Sequence, residues 1–353
     1  MTGTAIEFLD VEPRIAIMHH VEPDGVLWGS RGRHVFRSCD GRSWERVSSF
    51  PFAFPRDMLG FSRLTARAAR ADKANVFVNK AGKVCGIRDG VVYVLHPGSG
   101  FVPSFAIRGD TVLHGGICED ETGWTYIGEY FMNPERGEVV IWRLSPDMGE
   151  HEAAHCFPAG AIRHVHGIYR DPYDKKALWA TVGDYAGECY FIRTRDRFAS
   201  VEWFGDGNQL WRAVRLFFTP EHITWLTDSH LEQNYACRML RQGGQLEQGR
   251  KLPGSGWYGT VTQDGWYMAF TTVEPGPALQ RMESLILLSR DGFSWQEAAA
   301  LKKDIWRPMK LFKYGVINTP TGKMTSDSVW ISGEGLIGLD GKSARLRIAE
   351  AGS

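Results

Sequence analysis

The chain has 353 residues, 43% of them hydrophobic, with 41 basic side chains balanced by 41 acidic ones. A chain this apolar can bury a sizeable core, and the even charge balance, with no basic stripe or tail, argues against a nucleic-acid partner. No stretch approaches the roughly 18 consecutive apolar residues of a membrane span.

The N-terminus, Met1 to Phe8, lacks a basic start followed by an apolar run. No signal peptide is therefore expected, and the expected location is the cytoplasm. From here onward the chain reads as short strands. Forty glycines and sixteen prolines punctuate segments rich in Val, Ile, Phe, Tyr and Trp, such as 139–144, 178–182 and 223–226. Helical periodicity is nearly absent, so an all-β fold is predicted. Six scattered cysteines form no C-x-x-C pair and no zinc spacing, and buried reduced thiols are expected.

Residues 38–44 read Ser-Cys-Asp-Gly-Arg-Ser-Trp, and residues 289–295 read Ser-Arg-Asp-Gly-Phe-Ser-Trp. In such a hairpin the Asp accepts backbone N–H groups, the Gly takes a positive φ and the Trp packs beneath. Weaker copies follow at Ser145-Pro-Asp147, Thr194-Arg-Asp196 and Asp340-Gly341, and turn-like Gly98 to Gly100 and Gly243-Gly244 fill the gaps. The pitch is about 50 residues, the length of a four-stranded blade with its turns. Seven units fill the chain, so a seven-bladed β-propeller over residues 1–353 is predicted, with six blades as the alternative. Ile6 to Met18 precedes the first unit and is expected to give the last blade a strand that latches the ring.

A second alignment starts from the unit openings. Units three to six open at His114, His166, Arg212 and Tyr258, and their second strands end at Glu129, Asp184, Asp228 and Glu274, at offsets of 15, 18, 16 and 16 residues. Inner strands of successive blades form a ring, and the end of each second strand lies beside the start of the first. All eight side chains are therefore expected at one mouth of the channel, with His20, Arg63 and Lys310 of other units joining them in looser register. Acids after strands are also common turn residues. Polar convergence in a concave mouth, however, marks a ligand site. His164 and His166 alternate along a strand and face the same side. With His114 and Gln209 nearby they suggest a possible divalent metal site, although no cofactor is required by the pattern. Gln209-Leu-Trp211-Arg212 offers a stacking face and a cation for a sugar carboxylate; Trp211 serves equally well as blade packing.

The two Asp-Gly-x-Ser-Trp segments and their pitch resemble the Asp-box, or BNR-repeat, sialidase-like superfamily. The resemblance implies a propeller that binds or cleaves glycans. Pro13-Arg14-Ile15 is faintly similar to the first arginine motif of sialidases, while seven units and a histidine-rich mouth depart from their six-bladed pattern. The His-x-His with Arg and Tyr is similar to the working set of propeller-type polysaccharide lyases. Three functions remain open on an anionic glycan. In a glycosidase, Glu129 and Asp184 serve as acid and base, a spacing of about 6.5–9.5 Å giving inversion and about 5–5.5 Å retention. In a uronate lyase, Arg212 or a metal neutralises the carboxylate, His166 or His114 takes the proton and Tyr258 protonates the leaving oxygen. The third is a non-catalytic glycan- or protein-binding propeller.

Overall fold

The computed structural model describes residues 4–312 and 314–350. It is an all-β, seven-bladed propeller of seven separate sheets, antiparallel but for one short strand. Blades 1 to 7 are numbered here by their inner strands: Ile17–Val21, Asn75–Val78, Cys118–Glu119, Val165–Arg170, Leu216–Phe218, Ser255–Val261 and Val316–Asn318. In blades 1 to 6 four strands follow chain order from the axis outward, and blade 1 gains a short parallel partner, Thr321–Gly322. Blade 7 differs. Its outermost strand is the N-terminal Thr4–Glu12, paired antiparallel with Lys342–Glu350 from Thr4 opposite Glu350 to Glu12 opposite Ser343. Ile17 and Met18, at the end of the expected latch segment, already belong to blade 1.

The core lies between blades rather than at one centre. Between blades 4 and 5, Tyr169, Trp179, Phe191, Trp211 and Trp225 form a buried aromatic layer, with Trp211 and Trp225 stacked at 5.5 Å. Near the axis neighbouring blades come close enough to require glycine. A Cβ on Gly128 would sit 2.4 Å from Val165 of the next blade.

Because strands alternate in direction, the turns joining third and outer strands lie at one end of the ring. The turns after second strands lie at the other end, with the blade-to-blade connections. Asp40, Asp147, Asp196 and Asp291 all occupy turns between third and outer strands, as do Gly98–Gly100 and Gly243-Gly244. In the two full motifs Asp40 Oδ1 accepts from Arg42 N (2.8 Å) and Ser43 N (2.7 Å), and Asp291 Oδ1 accepts from Phe293 N (2.9 Å) and Ser294 N (2.7 Å). Gly41 and Gly292 take φ of 71° and 74°. Asp340 corrects the repeat reading. It follows the second strand of blade 7, Val329–Glu334, and so lies at the opposite end, where it binds Arg63. Blade 7 has no such turn, because its outer strand comes from the other end of the chain.

Two inserts rise at the end that carries Asp340. One joins blades 1 and 2 and contains a helix, Arg63–Ala68, capped by Ser62. The other joins blades 6 and 7 and carries the short helix Met309–Phe312. They are tied together by buried Arg67, which donates to Asp304 Oδ1 (3.2 Å), and by Arg307, which donates to Asp340 (3.1 Å). Of the six free cysteines Cys85, Cys189 and Cys237 are buried, but Cys39 and Cys156 are exposed, contrary to the expectation of burial. Among the described residues no helix is long and apolar enough to cross a membrane.

Candidate functional site

The ring axis opens, at the end opposite the turns between third and outer strands, into a cavity of about 790 Å³. Its wall is built from two kinds of segment: residues entering or within inner strands, such as Arg163, His164, Arg212 and Tyr258, and residues leaving second strands, such as Tyr130, Asp184, Asp228 and Glu274. The helical insert adds Arg63, Arg67, Arg70 and Lys73. A pocket of this size with convergent polar groups is the usual form of a small-ligand site.

Asp184 is the most heavily bonded group in the wall. It follows Gly183, whose φ of 82° and approach to Glu188 O leave no room for a Cβ. Its N–H donates to Glu188 Oε1 (3.0 Å), and its carbonyl accepts from Gln209 Nε2 (2.9 Å). The carboxylate meets His166 Nε2 at 3.0 Å and His164 Nε2 at 3.3 Å. Arg163 Nη1 lies at 2.8 Å and Arg212 Nη2 at 3.2 Å. Burial works against the ion here, but its histidine neighbours and the charge of Arg212 hold the carboxyl well below its usual range. His164, His166 and Asp184 form a cluster whose ligand atoms lie within 4.8 Å of one another, a candidate metal-binding group.

Across Arg212 lies a second acid. Asp228 is buried, its Oδ2 is 3.3 Å from Arg212 Nε, and Trp257 Nε1 donates to its Oδ1 at 2.5 Å. Burial pushes this carboxyl up to about 7, Arg212 opposing and the neighbouring Glu274 adding to the rise. Glu274 Oε2 accepts from Ser255 Oγ at 3.2 Å and is also raised, by burial above all. Asp184 and Asp228 thus flank one guanidinium with opposite shifts.

His114 faces the cavity, its ring 5.7 Å from that of Tyr258. Enclosure by protein, with the charge of Lys73, pushes its imidazole down to about 4, so it is neutral at pH 7. Tyr258 is buried and its hydroxyl raised well above the usual value, by burial first and by Tyr130 second.

Several expected site residues take other positions. Glu129 does not line the cavity. Its carboxylate accepts from Arg108 N (3.1 Å), Arg108 Nε (3.0 Å), Val140 N (3.0 Å) and Trp142 Nε1 (3.3 Å), tying blade 3 to the preceding segment. The reason is register. Glu129 O accepts from Val165 N just as Thr227 O accepts from Gly256 N, so Glu129 matches Thr227 and Tyr130 matches Asp228. Side chains one residue apart point to opposite faces. The signal was present in spacing: Tyr130 lies 16 residues after His114, the interval from Arg212 to Asp228 and from Tyr258 to Glu274. Trp211 is blade packing, wedged between Phe191 and Trp225. Gln209 sits behind the wall, donating to Asp184 O and accepting from Ser229 Oγ (2.8 Å). Arg63 lines the cavity, but Asp72 (2.6 Å) and Asp340 (2.7 Å) hold its guanidinium. His20 does not line the cavity but binds Thr321 Oγ1 (2.8 Å), and Lys310 lies on the exposed second insert. Neither His114 nor Gln209 belongs to the candidate metal cluster; Asp184 takes the third place.

No family model matches the chain, and no curated protein does. Solved structures do match. Virginiamycin B lyase from Staphylococcus aureus aligns at 12% identity over 98% of this chain and 100% of that chain, with a TM-score of 0.61. The structure of YCF48 bound to D1 peptide aligns at 11% identity over 100% and 98%, with a TM-score of 0.54. An ancestral GH74 enzyme aligns at 9% identity over 93% of this chain but only 45% of its own length, with a TM-score of 0.55. The likeness is one of fold. The chain is a β-propeller, and its chemistry has to be argued from its own cavity.

Proposed function

We propose that this protein is a carbohydrate-active hydrolase that cleaves a glycosidic bond of an anionic oligosaccharide held in the channel mouth, with Asp228 as general acid and Glu274 as general base. The observation that carries this reading is the placement of a buried carboxyl group, Asp228, and a half-buried one, Glu274, from successive blades on the wall of a cavity large enough for sugar residues. Like charges in such proximity do not ionise together easily, so the pair keeps one proton near neutrality, and Asp228, raised further, is the group to hold it. Asp228 gives that proton to the glycosidic oxygen as its bond to the anomeric carbon breaks. Glu274 takes a proton from the water whose oxygen forms the new bond. Trp257 fixes the carboxyl of Asp228. Arg212, between Asp184 and Asp228, orients both acids rather than clamping substrate. Arg70, Lys73 and Arg163 line the same cavity and supply positive charge for an acidic sugar. Two of the proteins that share the fold are named as enzymes, one a lyase and one a GH74 enzyme, which supports catalysis only by analogy of fold.

A second reading is favoured by one contact, the neutral His114 beside Tyr258. In a uronate lyase His114 takes the C5 proton, the electron pair forms the C4–C5 double bond, and Tyr258 protonates the departing oxygen. Incubation with a panel of acidic and neutral oligosaccharides separates the readings by product mass. Hydrolysis adds the mass of water per bond cut and is lost in Asp228→Asn. Elimination adds none, gives unsaturated products and is lost in Tyr258→Phe. Failure to cut any member, with binding retained in both variants, supports a binding propeller.

A further inference from the structure

We propose that His164, His166 and Asp184 form a binding site for a nitrogen-preferring divalent cation of the Zn²⁺ class, open toward the cavity. The argument starts at the far side of each imidazole. His164 Nδ1 lies 2.9 Å from Phe131 O, and His166 Nδ1 lies 3.0 Å from Ala213 O. A carbonyl only accepts, so each Nδ1 carries the proton. In the neutral rings both Nε2 atoms then present lone pairs, and they point at one spot. The two Nε2 atoms are 3.1 Å apart, and Asp184 Oδ1 and Oδ2 stand 3.0 Å and 3.3 Å from them. Four electron-rich atoms in that arrangement repel unless a positive charge joins them.

The separations fit a metal. Bonds of about 2.0–2.1 Å at tetrahedral angles set neighbouring ligand atoms about 3.3 Å apart. Backbone carbonyls that receive the distal N–H of ligating histidines are the usual outer support of such a site. Asp184 has a lone pair for each neighbour: Oδ1 meets Arg212 and His166, and Oδ2 meets Arg163 and His164. The two guanidiniums weaken attraction for a dication without taking the lone pairs aimed at the histidines. Two imidazoles and one carboxylate suit Zn²⁺ and its neighbours, whereas Mg²⁺ and Ca²⁺ prefer all-oxygen shells. Three protein ligands leave a position for a water or sugar oxygen. The ring of Tyr130, 4.2 Å from that of His164, covers one flank.

The rival occupant is a proton, making one histidine an imidazolium bonded to Asp184. Metal binding to the chelator-stripped full chain decides between them and is independent of any cleavage assay. Titration with ZnCl₂ should bind one equivalent and raise the unfolding midpoint, and CoCl₂ should give the visible bands of a low-coordinate site. His164→Gln and His166→Gln should each weaken binding at least tenfold while far-ultraviolet circular dichroism stays unchanged. MgCl₂ at the same concentration should do nothing. A wild-type protein that binds neither Zn²⁺ nor Co²⁺ would overturn the site, and so would undiminished binding in His164→Gln/His166→Gln.

Discussion

At the scale of the residue, what distinguishes one acid from another at the mouth is its number of partners. Asp184 meets four cationic or histidine nitrogens, whereas Asp228 meets one indole N–H and one guanidinium it shares. The first stays ionised and the second keeps its proton to about pH 7. The hydrolase reading therefore predicts that kcat/KM falls as pH rises through about 7, as Asp228 loses the proton it must donate. A profile still rising beyond that point would remove Asp228 from the role. Glu129 gives the contrasting expectation. Glu129→Ala should leave kcat unchanged but lower stability in urea by about 1–3 kcal/mol, since two part-buried backbone N–H groups and an indole lose their acceptor. A large fall in kcat at unchanged stability would return Glu129 to the site. The sequence made Glu129 look catalytic because it is the acid at the end of a strand; the 16-residue spacing and the hydrogen-bond register both give that place to Tyr130.

At the scale of the element, the turns between third and outer strands were legible because their chemistry is local. Asp, Ser and Gly within a few residues specify the turn whatever surrounds it. Position in the blade is not local, and Asp340-Gly341, with the same dipeptide, closes a different turn and clamps an insert. The inserts themselves break the repeat and left no periodic trace, so the half of the mouth built by Arg63, Arg67 and Lys73 was largely unseen. Acid titration checks the turn account. In Asp291, burial raises the carboxyl pKa, but hydrogen bonds from Phe293 N and from Ser294 outweigh it and hold the group below its usual value. A depressed carboxyl contributes stability above its unfolded pKa of about 4, and that contribution is lost as pH falls through the folded value. The stability gap between wild type and Asp291→Asn should thus shrink as pH falls from about 5 toward about 2. A gap that widens would contradict the hydrogen bonds.

At the scale of the whole molecule, a ring of seven similar sheets has no single nucleus of burial; each blade is covered by its neighbours, and opening one interface exposes two faces. The count of seven was readable from pitch alone. The pairing of Thr4–Glu12 with Lys342–Glu350 was readable only as leftover length, since nothing in either segment names the other. Deleting residues 1–12 uncovers the third strand of blade 7 as an open edge and removes Ile6 from its packing. The truncated chain should lose stability on the order of several kcal/mol and associate through that edge. A monomeric truncation with an unchanged unfolding midpoint would show that the strand is dispensable.

The central claim, that the mouth is a hydrolytic site worked by Asp228, is tested most directly by cleaving a responsive oligosaccharide in heavy-oxygen water. Hydrolysis predicts one heavy oxygen atom in the product for each bond cut by the wild-type protein, and no cleavage by Asp228→Asn. Cleavage without incorporation, or full activity in Asp228→Asn, would contradict it.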